Sequence, residues 1–81
     1  MSADDFNKAF KAYENGDYQK AVKLFQQSCD KKDTWSCVSL AAMYANGDGV
    51  KQDYAKAAEY FEKACDLGEQ MGCENYKRLK K

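Results

Sequence analysis

The sequence predicts an all-α protein: antiparallel αα-hairpins stacked as a right-handed α-solenoid, two hairpins followed by a C-terminal capping helix. Apolar residues recur at three- and four-residue spacing, and no stretch shows the alternation of a half-buried strand. The sequence also overlays itself when shifted by 36 residues. Tyr18 falls on Tyr54, Lys20 on Lys56, Ala21 on Ala57, Phe25 on Phe61, Cys29 on Cys65, Asp30 on Asp66 and Cys37 on Cys73. A period of that length belongs to helical-hairpin repeats. Short polar connections make successive helices antiparallel.

Phe6, Ala9, Phe10 and Tyr13 mark the apolar face of a first helix at about 4–14. Asn15-Gly16-Asp17 is a turn, with the glycine supplying a positive φ at the helix end. Ala21, Val22, Leu24, Phe25, Ser28 and Cys29 mark a second helix at about 18–31. After Lys31-Lys32-Asp33, the Thr34 hydroxyl is expected to cap a third helix at about 34–46, with Cys37, Leu40, Ala41 and Tyr44 on its apolar side. A longer loop, Asn46 to Asp53, follows. Asp53 caps a fourth helix at about 54–67, carrying Ala57, Ala58, Phe61, Ala64 and Cys65, and Gly68 ends it. Met71, Cys73, Tyr76 and Leu79 lie on a last helix at about 69–80, expected to cover the second hairpin. The small residues Ala21, Ala57, Ala41 and Ala64 let helix backbones approach, while Phe25, Tyr44 and Phe61 fill the space beside them. Tyr13, Tyr18, Tyr54 and Tyr60 are expected in the core or the seam between helices.

Eighty-one residues make one small domain that buries about 60% of its unfolded surface. At 44% hydrophobic and 32% charged residues it is globular, not disordered. Thirteen basic and thirteen acidic residues cancel, so no global field recruits nucleic acid or an anionic membrane. The apolar runs fall short of the roughly 18 residues a membrane span needs. The absence of His removes Ser-His-Asp and Cys-His catalysis and histidine-ligated metals. The Met1-Ser2-Ala3-Asp4-Asp5 start has neither the basic nor the apolar region of a signal peptide. The expectation is a chain that stays inside the cell or a mature chain with a start Met added. The basic end, Lys77 to Lys81, reads as a solvated helix terminus rather than a binding patch.

Leu40-Ala41-Ala42-Met43-Tyr44-Ala45-Asn46-Gly47-Asp48-Gly49-Val50 resembles the first helix and loop of a Sel-1-like repeat. Asp53 to Ala57 and Tyr60 to Gly68 continue the resemblance through the second helix. The first hairpin has a shorter turn, and Tyr13-Glu14-Asn15-Gly16-Asp17-Tyr18 is more similar to a tetratricopeptide repeat, a family of the same superfamily. The division is thus a tetratricopeptide-like hairpin at about 4–31, a Sel-1-like hairpin at about 34–67 and a capping helix at about 69–80. Lys63-Ala64-Cys65-Asp66-Leu67-Gly68, followed by Gly72-Cys73, is similar to the Helicobacter cysteine-rich proteins in particular. That resemblance implies one disulfide per repeat and a periplasmic or secreted location; with reduced cysteines the alternative is cytoplasmic.

Four cysteines allow three pairings. The repeat and the resemblance both favour Cys29 with Cys37 and Cys65 with Cys73. Each bridge then contributes about 2.5 kcal/mol in the chain-entropy description, a large share of the stability of so small a core. Reduced, buried thiols packing as small hydrophobes are the other reading. A structural Cys₄ zinc site lacks its C-x-x-C knuckles, and so does a thioredoxin-like redox site.

The superfamily resemblance places a protein or peptide partner in a concave groove. It implies Asn7 and Lys11 from the first helix and Val38, Ala42 and Asn46 from the third as groove residues. Trp35 is a candidate interface anchor, although a Trp is more often a packing residue and here would shield Cys37 or the inter-hairpin seam. Members of the cysteine-rich family are described as penicillin-binding or β-lactamase-like. The sequence offers that chemistry little: no Ser-x-x-Lys motif has an accessible serine. Ser28-Cys29-Asp30-Lys31 has the spacing, but Ser28 holds the packing position that Ala64 fills in the next repeat. Asn46-Gly47-Asp48-Gly49-Val50 lacks the lysine and preceding strand of a phosphate loop and the ligand series of an EF-hand. The expectation is a non-enzymatic interaction module with no cofactor and no metal; a minimal or fragmentary repeat with a structural role is the remaining alternative.

Overall fold

The computed structural model describes residues 2–80, in five helices: α1 (Ser2–Glu14), α2 (Tyr18–Asp30), α3 (Thr34–Asn46), α4 (Tyr54–Asp66) and α5 (Gln70–Leu79). Each helix packs against its neighbour in sequence, giving a stack of antiparallel hairpins measuring 33 × 27 × 16 Å. There is no strand among the described residues. The first helix begins two residues before the expected start at about 4, and Asp4 and Asp5 suit a helix N-terminus.

Small side chains set the helix spacing. Ala9, Ala21, Ala41, Ala57 and Ala64 have no exposed surface, and Phe25 and Leu40 fill the space between them. Burying each of those two larger side chains stabilises the fold by about 1.5–3 kcal/mol. α3 is apolar on several sides, with Cys37, Val38, Leu40, Ala41 and Met43 all buried, because neighbouring helices cover it from more than one direction. The predicted seam holds for Tyr13 and Tyr60, which are half-buried. It fails for Tyr18 and Tyr54, which are 38% and 56% exposed. Both open a helix where the chain arrives from a turn, and Tyr18 still packs against the Tyr13 ring of α1, with centroids 5.0 Å apart.

The caps repeat with the same period. Asp17 accepts from the Lys20 N–H and Asp53 from the Lys56 N–H. Thr34 does not cap α3; Asp33 does, accepting from the N–H groups of Trp35 and Ser36. Both residue types can cap, and the turn geometry decides. Lys32 takes φ 71°, the left-handed conformation that Gly68 takes at the same place before α5 (φ 100°), and this leaves the next residue, Asp33, at the cap.

Close approach explains two glycines. A Cβ on Gly49 would lie 2.7–2.8 Å from Tyr18, so the long loop can rest on the start of α2 only as glycine. A Cβ on Gly72 would meet the Phe61 carbonyl oxygen at 2.7 Å and the Ala64 Cβ at 2.8 Å. Gly72 thereby lets α5 seat directly on α4.

A candidate partner-binding groove

α1 and α3 are the first helices of the two hairpins, and between them the stack leaves a cavity of about 190 Å³. Phe10 and Tyr13 form one wall, and Ser39, Ala42, Met43 and Asn46 form the other. Phe25 of α2 closes the floor, and Asp48 from the long loop stands at one end. The cavity is therefore apolar inside, with amide, hydroxyl and carboxylate groups at its edge. Phe10 is 45% exposed although it belongs to the apolar stripe of α1, since α2 covers that stripe only in part.

The structure divides the residues implied for the groove. Ala42 and Asn46 line this cavity. Val38, one turn earlier, is 8% exposed and belongs to the core. Asn7 is exposed on α1 outside the cavity. Lys11 opens into a separate depression on the first hairpin, with Lys8, Asn15, Lys20 and Leu24. Trp35 is 49% exposed at the start of α3, outside the cavity, and Cys37 two residues on is fully buried. Phe10, Tyr13, Phe25, Ser39, Met43 and Asp48 line the cavity without being among the residues the resemblance implies. Phe10 and Tyr13 carried a signal, as the outer edge of an apolar stripe wider than one neighbouring helix can cover.

Cys29 and Cys37 are paired at disulfide distance, with Cα atoms 4.7 Å apart, and Cys65 and Cys73 likewise at 4.6 Å. The first pair is buried, at 1% and 0% exposure, and the second is half-buried. Beside the first pair, Lys31 Nζ donates to Asp5 Oδ2 at 3.0 Å and ties α1 to the turn before α3. The Lys31 ammonium holds the Asp5 carboxyl below its ordinary value of 3.8.

The one sequence arrangement that matched an acylation motif is dismantled by the fold. Ser28 is fully buried and its hydroxyl donates to Asp33 Oδ2 at 3.2 Å, while the Lys31 ammonium reaches Asp5 instead. Among the described residues no three His, Cys, Asp or Glu side chains converge on a point that could hold a metal ion. No helix among them is long and apolar enough to cross a membrane.

Comparison with known proteins agrees with this architecture. The Sel1 repeat family matches residues 9–33 and 36–69, so the first match includes the hairpin with the shorter, tetratricopeptide-like turn. HcpD of Helicobacter pylori, whose name suggests a beta-lactamase without establishing one, is 45% identical over 47 residues, 58% of this chain and 15% of its own. An exopolysaccharide production negative regulator of Rhizobium leguminosarum bv. viciae is 47% identical over 49 residues, 60% of this chain and 18% of its own. HcpC of Helicobacter pylori, similarly named, is 40% identical over 42 residues, 52% of this chain and 14% of its own. The chain thus spans less than a fifth of the length of these curated relatives. The two Helicobacter relatives are cysteine-rich repeat proteins, as the paired cysteines led one to expect. With the repeat matched in both hairpins and the helices stacked in the corresponding order, this chain belongs to the Sel1 repeat family.

Proposed function

We propose that the chain is a non-catalytic interaction module that takes a peptide or protein segment in the groove between α1 and α3. The observation that supports this most is the open apolar cavity there, with Phe10 exposed at its wall and Asn46 and Asp48 at its edge. An apolar side chain of the partner would enter beside Phe10 and Ala42. Asn46 can both donate to and accept from an extended backbone, and Asp48 suits a cation on the partner. Asn7, Lys11 and Trp35 would then contact only a partner that extends beyond the cavity. Of the division proposed from sequence, the two hairpins and the last helix act as one stack.

The cysteine pairs and the Helicobacter relatives support a periplasmic or secreted setting, where such pairs persist as disulfides. The beta-lactamase names of relatives are the one reason to consider an enzyme, and the buried Ser28 argues against it. The test is selection of peptides from a displayed random library on the oxidised domain, followed by titration against Ala42→Arg. Selected peptides that lose binding to Ala42→Arg support the groove. Peptides that bind both forms equally, or a library that yields none, would reject it. Hydrolysis of a chromogenic cephalosporin by the oxidised domain would reject the non-catalytic reading.

A further inference from the structure

The two rows of side chains that wall the α1–α3 cavity continue beyond it. On α1, Phe10 and Tyr13 share a face with Phe6, whose ring stacks on that of Phe10 with centroids 6.0 Å apart. On α3, Ser39, Ala42 and Asn46 share a face with Trp35, which lies one turn before Ser39 and is 49% exposed. α1 and α3 are each antiparallel to α2, so they run the same way. The channel between them therefore has two unlike ends. Trp35 stands at the end beside the Cys29–Cys37 bridge, and Asp48 stands at the loop end. Walls and floor all belong to the first three helices and the loop that follows them. Repeats stack end on, so further hairpins before α1 or after α5 would lengthen the channel without filling it.

The loop end is negative. Asp48 is the one charged residue that lines the cavity, and the exposed Glu14 ends α1 at the same edge. Among the described residues, the ion pairs are Lys31 with Asp5 and Lys63 with Asp30, and neither involves Asp48. The lysines of that edge are placed elsewhere. Lys11 and Lys20 open into the separate depression on the first hairpin, and Lys56 lies over the Tyr44 ring at 5.7 Å. Lys51 is exposed and does not line the cavity. The Trp35 end has no such excess. Asp5 is paired with Lys31, Asp33 is engaged by the α3 cap and by Ser28, and the exposed Asp4 and Lys32 carry opposite charges. What that end offers a partner is the indole face.

We propose, on the reading of this groove as the binding site, that it takes an extended segment whose side-chain order is fixed by Asp48 and Trp35. A Lys or Arg of the partner sits at Asp48, a large apolar side chain enters the cavity beside Phe10 and Ala42, and a second apolar side chain lies on the Trp35 indole. From Trp35 to Asn46 is about 16 Å of helix, the length of about five extended residues. From Asn46 to Ala42 is about 6 Å, or roughly two extended residues. The cation and the first apolar side chain are thus two positions apart, on the same side of an extended chain.

The test is selection of seven-residue peptides from a displayed random library on the oxidised protein, run in parallel on Asp48→Asn, Asp48→Lys and Trp35→Ala. Groove binders are those that lose binding to Ala42→Arg. Circular dichroism matching the native spectrum establishes that each variant is folded. Among groove binders of the native protein, Lys or Arg two positions from a large apolar residue should outnumber Asp or Glu there by at least about fivefold. That preference should vanish on Asp48→Asn and reverse on Asp48→Lys. Trp35→Ala should weaken a peptide selected on the native protein by at least about threefold. A library that yields no groove binder on the native protein would overturn this proposal together with the groove reading. Groove binders without the basic preference, with the same preference on Asp48→Lys, or indifferent to Trp35→Ala would overturn this proposal alone.

Discussion

Tyr60 and Gln26, 34 positions apart, are joined by a hydrogen bond of 2.8 Å that links α4 directly to α2. It is a contact between repeats rather than within one, and it lies where the Tyr44 and Tyr60 rings stack. Tyr60→Phe keeps the stacking and removes the bond. The expected loss is about 0.5–1.5 kcal/mol in urea unfolding, with an unchanged m-value. Gln26→Leu should cost a similar amount, and the double variant should cost clearly less than the sum.

The two disulfides differ in access. Cys29 and Cys37 are buried, whereas Cys65 and Cys73 are half-buried. Under limiting reductant, with thiols trapped by alkylation, mass mapping should find Cys65 and Cys73 labelled first. Opening either bridge costs about 2.5 kcal/mol in the chain-entropy description. Simultaneous labelling of all four cysteines would show that burial does not protect the first pair.

Gly72→Ala places a methyl group against the Phe61 carbonyl and the Ala64 side chain. Neither can yield without moving α4, so α5 must shift outward. The variant should lose about 1–3 kcal/mol, and amide exchange should rise in α5 more than in α1. A melting temperature equal to wild type would mean that α5 sits less closely than the structure shows.

Lys32 holds a left-handed backbone that costs a side-chain-bearing residue free energy. Lys32→Gly, matching Gly68, should stabilise the fold by roughly 0.5–1 kcal/mol, read from thermal or urea unfolding. The Lys32 side chain is exposed, so no packing is lost to offset the gain.

Pairing with Lys31 lowers the Asp5 pKa from 3.8. The folded state therefore binds fewer protons there than the unfolded state. The contribution is full above the unfolded value and disappears as pH falls through the folded one. Lys31→Met should remove this part of the acid dependence. Its melting temperature should lie below wild type at neutral pH and converge with it in acid.

The five helices were legible because apolar spacing and Gly/Asp punctuation agree along the whole chain. The cap of α3 was not. Asp33 and Thr34 are adjacent and both competent, and the choice rests on the backbone turn at Lys32, a residue type that gives no warning of a positive φ. The cavity between α1 and α3 lies on the helices expected to line a groove, but its residues were less legible. Periodicity shows which way Val38, Ala42 and Phe10 point, but not how far a neighbour covers them: Val38 is in the core and Phe10 stands open.

Both cysteine pairs join the end of one hairpin to the start of the next helix, so both lie on the same edge of the stack. The connections at residues 15–17 and 47–53 form the opposite edge, each within one hairpin, and among the described residues no disulfide joins one hairpin to the next there. The domain is bound like a book, along one spine. Its leaves can part only at the free margin, where Asp48 closes the groove, while the bound margin keeps its spacing. A breathing motion of the groove would then open it from one side, the side away from the disulfides.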